Sequence, residues 1–289
     1  MKVDGKEIKI KNKDKILFKK SKISKGDLID YFSKISKYMI PHIKNRPLTM
    51  HRFPNGIDDI NFYEKQIPGY FPEWFDRIDV KNREKGHTIY PVCNDKASLV
   101  YLANQALISH HIWLSTKDSL DYPDKIIFDL DPPEDGDFNL VIKAAKDLKK
   151  ILENKSLNSY VMTTGSTGLH VIIPTTQEYD FDEVRTFAKN IAEELVEKNS
   201  ELYTIAQRKE KRNDKIFIDY LRNSYGQTSI APYSIRAKED APIATPLDWD
   251  ELDSELTSTK YNISNIFRRL GQKEDPWKDI YDNKNKIKL

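Results

Sequence analysis

The segment Lys125-Ile-Ile-Phe-Asp-Leu-Asp131, halted by Pro132-Pro133, decides the fold. Ile126, Ile127, Phe128 and Leu130 make an apolar run of strand length, and two consecutive prolines cannot continue a sheet ladder. Asp137 is placed to cap the next helix, in which Leu140, Val141, Ala144, Ala145, Leu148 and Ile151 recur on one face. Strand plus one-sided helix is half of an α/β layer. The pattern repeats. Tyr160-Val-Met162 and Leu169-His-Val-Ile-Ile-Pro174 read as strands joined by the turn Thr163-Thr-Gly-Ser-Thr-Gly168. Asp182 is then expected to open a helix with Val184, Phe187, Ala188, Ile191, Leu195 and Val196 as its buried stripe. After a polar, basic loop, Lys215-Ile-Phe-Ile-Asp-Tyr-Leu221 reads as another strand. The expected class is a strand-rich α/β (α+β) fold of mixed sheets packed with helices.

Working back toward residue 1, an alternating segment around Glu7–Ile10 precedes a helix expected over Lys25–His42 and ended by Pro41 and Pro47. Arg46 to Gly56 reads as a short strand closed by an Asn-Gly turn, and residues 97–112 suggest another helix. With no internal repeat and no Gly/Ser linker, the simplest division is one domain over 1–289. Its portion 1–120 is basic and its portion 121–289 is the core. Residues 1–50 hold fourteen Lys/Arg against five Asp/Glu, an imbalance hidden by the net charge of +2. Such a block attracts phosphate backbones, although a solvated lysine-rich surface reads the same way.

The single cysteine, Cys93, excludes an internal disulfide and any cysteine cluster, so metal chemistry falls to carboxylates and histidines. No apolar run approaches the roughly 20 residues of a membrane span, and the first residues lack a signal-peptide core. The expected location is cytoplasmic, with no membrane partner.

Asp129 and Asp131 stand two apart in a strand, so their side chains leave on one face. Two carboxylates in apolar surroundings call for a cation, and hard oxygen ligands suit Mg²⁺ or Mn²⁺. An isolated Asp-x-Asp pair is more often a surface or capping feature; the apolar context and a third acid distinguish this one. Asp219, in Ile216-Phe-Ile-Asp-Tyr-Leu221, is again a charge within an apolar strand. Three such acids can hold two cations around a triphosphate. The same strand would serve a phosphatase of the haloacid dehalogenase type, but that family expects Gly-Thr where Pro132-Pro133 stands. The small residues of Thr163–Gly168 suit an anion cradle or a plain hairpin turn. His170 suits a ligand or a core histidine, and Arg236 a phosphate contact or the surface.

Phe-Asp-Leu-Asp-Pro, Thr-Gly-Ser-Thr-Gly-Leu-His and Ile-Asp-Tyr-Leu-Arg-Asn, in this order, resemble the three motifs of archaeo-eukaryotic primases. The run from Ile218 to Arg236, continued by Ala241-Pro-Ile-Ala-Thr-Pro-Leu-Asp-Trp249, is similar to the polymerase module of DNA ligase D, a non-homologous end-joining primase-polymerase. The resemblance covers nearly the whole chain. It implies a nucleotidyltransferase that adds NTP or dNTP to a primer 3′-hydroxyl at gaps or ends bearing a 5′-phosphate, with two Mn²⁺ or Mg²⁺ ions. Asp129, Asp131 and Asp219 would hold the metals, and His111, Thr164, Ser166, His170 and Arg236 would contact the nucleotide. Asn12, Lys15 and Lys25 would bind the 5′-phosphate, Phe62 and Tyr63 would stack on bases, and Arg52 and Arg212 would add DNA contacts. Thr167 stands where the family often has lysine, leaving Lys215 or Arg236 to compensate, and His51 occupies a position that is often basic. A Ku-like protein and a separate DNA ligase are the implied partners, since no ligase or nuclease domain is expected in this chain. A non-catalytic end-binding module is the alternative from another class.

Overall fold

The computed structural model describes residues 1–83 and 86–288. The chain divides into two compact units: Met1–Asp118 with Thr228–Ala244 and Asn262–Arg269, and Ser119–Gln227 with Thr245–Tyr261 and Leu270–Leu289. Two later segments return to the first unit, so neither unit is continuous in sequence.

In the second unit six strands run in the order Tyr203–Thr204, Ile216–Asp219, Lys125–Asp131, Leu169–Pro174, Tyr160–Thr163, Pro246–Leu247. The first pair is parallel and every other pair antiparallel. The Lys125–Asp131 strand spans the residues read from the sequence and lies in the middle of the sheet. Its alternate residues Ile126, Phe128 and Leu130 are fully buried in one core with Val141, Ala144, Leu148 and Ile151 of the helix Phe138–Asn154. Val184, Ala188, Ile191 and Leu195 of the helix Phe181–Lys198 complete that core. Each of the Val, Leu, Ile and Phe side chains contributes about 1.5–3 kcal/mol by leaving water. The helices therefore fix which face of the strand is apolar, and Asp129 and Asp131 take the other. Asp137 caps the first helix as expected. Asp180, not Asp182, caps the second, because Asp180 and Glu183 form a reciprocal capping box while Asp182 pairs with Arg185 inside the first turn.

In the first unit the helix Lys25–Ile43 starts at a Ser24–Asp27 capping box and buries Leu28, Phe32, Ile35 and Met39. It runs through Pro41 instead of ending there: so close to the terminus, the missing proline N–H forfeits one bond, and the Lys44 N–H still closes on the Ile40 carbonyl. A four-stranded antiparallel sheet follows the order Thr228–Ile230, Leu107–Trp113, Leu48–Arg52, Phe62–Glu64. The expected helix over 97–112 is half helix, Lys96–Asn104, and half strand, Leu107–Trp113. Ala106, at φ +56°, reverses the chain between them, and pairing with two neighbouring strands overrides the apparent helical spacing. Among the described residues no helix is long and apolar enough to cross a membrane.

Candidate functional site

Strand register builds the acidic site. Asp129 lies directly across from Asp219 on one side and from His170 on the other, which puts Asp219, Asp129 and His170 in one row across three strands. Asp131 is two residues further along the same face. Like charges opposite one another in a sheet repel, and here they are also withdrawn from water, Asp129 being only 6 % exposed. Burial first, and then the Asp129 charge, push the Asp131 carboxyl up to about 6; burial also raises Asp219, against a hydrogen bond donated by the Leu221 N–H and the nearby Arg222 charge. The His170 Nε2 is 3.4 Å from Asp129 Oδ1.

Arg222, quoted in the third motif but given no role by the sequence, brings a positive charge to this cluster. Its Nε lies 3.5 Å from Asp129 Oδ2 and 3.6 Å from Asp219 Oδ2. Asn223 went equally unassigned. Fully buried, it accepts a hydrogen bond from the Ile127 N–H and donates to the Ile127 and Tyr220 carbonyls, tying the turn after Asp219 to the central strand. Their place three and four residues beyond Asp219 is ordinary in sequence, and only the folded turn shows what they contact.

The donor set fits a hard divalent cation: three carboxylates on one sheet face, withdrawn from water and near enough that the Asp129 charge adds to burial in raising Asp131. Among the described residues no trio of His, Cys, Asp or Glu side chains stands as a ready-made metal shell. The fit is therefore one of charge and ligand type, with Arg222 supplying part of the counter-charge.

The turn after Thr163 holds itself together. The Thr164 hydroxyl accepts from the Ser166 and Gly168 N–H groups and donates to the Gly168 carbonyl, so Thr164 shapes the turn from within. Gly165 takes φ +66°, and Gly168 passes so close to the central strand that a Cβ there would lie 2.2 Å from the Leu130 carbonyl oxygen and 3.4 Å from Asp131 Oδ1. The second motif is thus packed against the first by the absence of a side chain. Ser166 is half-buried, its carbonyl accepting from the Ser258 hydroxyl, and Thr167 is exposed at the tip. Lys215 donates to the Ser200 carbonyl, so its ammonium is engaged within its own loop. Arg212 donates to the Ala206 and Gln207 carbonyls and lies 3.6 Å from the Phe217 ring centroid.

His111 and Arg236 belong to the first unit. His111 sits across from Thr49 and Ile230, and the Tyr63 ring meets it edge-on at 5.5 Å. Adjacent His110 points the other way, fully buried against Phe32, and burial lowers its pKa to about 3. Tyr63 also stacks on His51, centroids 3.9 Å apart and planes 15° from parallel. Burial lowers the His51 pKa, with a smaller push from the Arg236 charge, so this position presents a neutral ring at neutral pH. Phe62 and Tyr63 are exposed, the latter by 59 %.

Asn12, Lys15 and Lys25 line a single cavity of about 650 Å³, as does Arg52. Lys25 is almost buried at the start of its helix, donating to the Asn104 carbonyl; burial and the charges of Lys15 and Lys11 lower its pKa. Lys15 donates to Asn55. Arg52 donates to Glu64, the Tyr70 hydroxyl and the Gln105 carbonyl, which makes it a brace of the cavity wall.

A family model described as "LigD, primase-polymerase domain" matches residues 24–277. The chain is 35 % identical over 271 residues to the bifunctional non-homologous end joining protein LigD of Bacillus subtilis (strain 168), covering 93 % of this chain and 43 % of that protein. It is 31 % identical over 258 residues to the multifunctional LigD of Mycolicibacterium smegmatis, covering 88 % and 34 %. The chain thus spans less than half the length of these relatives. Among solved structures, the polymerase domain from Mycobacterium tuberculosis ligase D in complex with DNA superposes with a TM-score of 0.90 at 28 % identity, covering 96 % of this chain and 99 % of that one.

Proposed function

The chain belongs to the LigD primase-polymerase family, and from that premise we propose that it is a metal-dependent nucleotidyltransferase extending primer 3′-hydroxyls at DNA gaps and broken ends. The observation that carries the reading is the register that sets Asp129 beside Asp219 with Asp131 on the same face, in a chain matched by the family over 24–277. Two Mn²⁺ or Mg²⁺ ions, when bound, would activate the primer hydroxyl and neutralise the triphosphate and the leaving pyrophosphate. The protein's own residues bind and orient. Asp129, Asp131 and Asp219 would hold the cations, with His170 beside Asp129. Asn223 keeps the Asp219 turn in register. Ser166, Arg236 and His111 contact the nucleotide, and Thr164 acts by holding the Ser166 and Gly168 amides in place.

On the DNA side, Asn12, Lys15 and Lys25 seat the 5′-phosphate across a gap, and Phe62 and Tyr63 stack on unpaired bases. Arg52 and Arg212 act through the cavity wall and the basic loop they brace. The two units work as one catalytic domain, a reading supported by a family match that runs across both. Both NTP and dNTP are candidate substrates, and a Ku-like protein and a separate ligase are candidate partners at the nucleoid.

The test is extension of a labelled primer on a gapped duplex with a downstream 5′-phosphate, with Mn²⁺ and each NTP or dNTP. Extension by the wild type but not by Asp129→Ala or Asp219→Ala is the expected result. Tight binding without extension would reduce the chain to an end-binding module. Hydrolysis of a phosphomonoester without either would replace the reading with a phosphatase.

A further inference from the structure

The cavity around Lys15 and Lys25 is larger and chemically more divided than a phosphate seat requires. Its volume of about 650 Å³ lies within the roughly 300–1,000 Å³ of sites that enclose small organic ligands. One part of the lining is cationic, from Lys11, Lys15 and Lys25; another is aromatic, from Tyr70, Trp74 and Tyr101. A phosphate uses the lysines and gains nothing from the rings.

The rings are held, not merely present. Trp74 and Tyr101 meet edge to face, centroids 5.7 Å apart at 80°, and the Lys6 ammonium sits 4.6 Å from the Trp74 ring. The Tyr70 hydroxyl accepts from Arg52 at 2.8 Å. Lys6 covers one face of Trp74, and Trp74 and Tyr101 stand near right angles, so the ring surface offered to a base is the part that lines the cavity, held there at little entropic cost. Lysines and aromatic rings in one cavity describe a nucleotide: phosphate at one end, base at the other. The terminal base of a downstream strand is already paired with the template. The nucleoside that fits is therefore one carried on the 5′-phosphate itself.

We infer that this cavity binds a 5′-adenylylated DNA end, with the two phosphates of the anhydride among Lys11, Lys15 and Lys25 and the added adenine against Trp74 and Tyr101. The inference rests on the reading of Lys15 and Lys25 as the 5′-phosphate seat. A nucleotidyl transfer onto a 5′-phosphate, the activating step of strand joining, must supply such an end. The chain would then retain an end after activation, keeping the joinable intermediate in place while the opposite 3′-terminus is extended.

The experiment measures equilibrium binding of the whole chain, by fluorescence anisotropy without metal or nucleotide, to gapped duplexes whose downstream end carries a 5′-hydroxyl, a 5′-phosphate or a 5′-adenylate. The adenylate is expected to bind about tenfold tighter than the phosphate, the size of one base–aromatic stack. Trp74→Ala should erase that increment and leave the phosphate-to-hydroxyl ratio intact. Trp74→Phe, which keeps a ring and the neighbouring packing, should retain most of it. Unchanged affinity for the hydroxyl duplex establishes that both variants are folded.

Phosphate tighter than hydroxyl, with no further gain from adenylate, overturns this inference and leaves the phosphate seat standing. Phosphate no tighter than hydroxyl overturns both. A 5′-phosphorylated abasic terminus supplies the last arm: a Trp74-dependent loss there, with no adenylate gain, would give the rings to the DNA's own terminal base and overturn the inference.

Discussion

The acidic row of the second unit and the DNA-side residues of the first are built by opposite means. Asp129, Asp219 and His170 owe their positions to backbone register across three strands, and Asp129 and His170 are buried there. Asn12, Lys15, Phe62 and Tyr63 are half-buried or exposed, on a loop and a short edge strand, with side chains that face solvent. The first arrangement stores repulsion: carboxylates are brought together out of water, with Arg222 offsetting part of their charge. The second stores nothing and is poised to pair with phosphates and bases as they arrive. A site of the first kind should fail all at once when a member is removed, and one of the second kind by degrees.

The largest effects should therefore come from the acids. Asp129→Ala and Asp219→Ala are expected to bring primer extension to background while gapped-duplex binding stays near wild type, as read by extension and anisotropy on the same preparations. Asp131→Asn sharpens the point, because it relieves repulsion while abolishing a ligand. In metal-free buffer it should melt at a higher temperature than wild type, and Mn²⁺ should raise its melting temperature less. A lower metal-free melting temperature would show that Arg222 already balances the cluster.

Gly168→Ala should come next. A methyl group 2.2 Å from the Leu130 carbonyl oxygen must push the turn away from the strand that carries Asp129 and Asp131. Overpacking of this kind costs about 1–3 kcal/mol, and a backbone clash belongs at the upper end. The expected result is a lower melting temperature together with a loss of extension greater than the loss of DNA binding. A variant that keeps full activity would show that the turn moves freely against the strand.

The same contrast sets what the sequence disclosed. A carboxylate inside Ile-Ile-Phe-Asp-Leu is an anomaly that physics must explain, so Asp129, Asp131 and Asp219 stand out without a relative for comparison. The sheet and helices around them were legible for the same reason: one-sided burial writes itself into spacing. Lys15 and Lys25 are two among fourteen basic residues in the first fifty, and only the family pattern singles them out. Arg222 and Asn223 were hidden differently, since a polar residue after a strand is ordinary and its target becomes visible only when the turn folds back. The strand Leu107–Trp113 escaped because its apolar residues satisfy helical and extended spacing equally, and pairing decided between them.

On the DNA side the effects should be graded. Lys15→Ala with Lys25→Ala is expected to weaken binding chiefly when the downstream 5′-phosphate is present. An equal loss on the hydroxyl end would make these lysines part of a general field. Tyr63→Ala removes an exposed ring worth about 1–3 kcal/mol per stacked base, and should lower affinity for duplexes with unpaired template more than for blunt ones. Its stack on His51 adds a control: Tyr63→Phe keeps the ring and should restore the affinity.

The smallest effect expected is also the one that separates the two designs most cleanly. Thr167 is exposed at the tip of the second motif, where the family often has lysine, and neither it nor Lys215, engaged with Ser200, supplies a cation to the turn. Thr167→Lys adds a mobile charge of the DNA-side kind to a site of the register-built kind. An exposed pair is worth about 0.2–1 kcal/mol, so KM for the nucleotide should fall by no more than about fivefold while kcat holds. The gain should fade as salt rises, because an exposed pair is screened. If kcat changed as well, the tip of the turn would be reaching the reacting atoms, and the division between a rigid acid cluster and an adaptable periphery would not extend to the second motif.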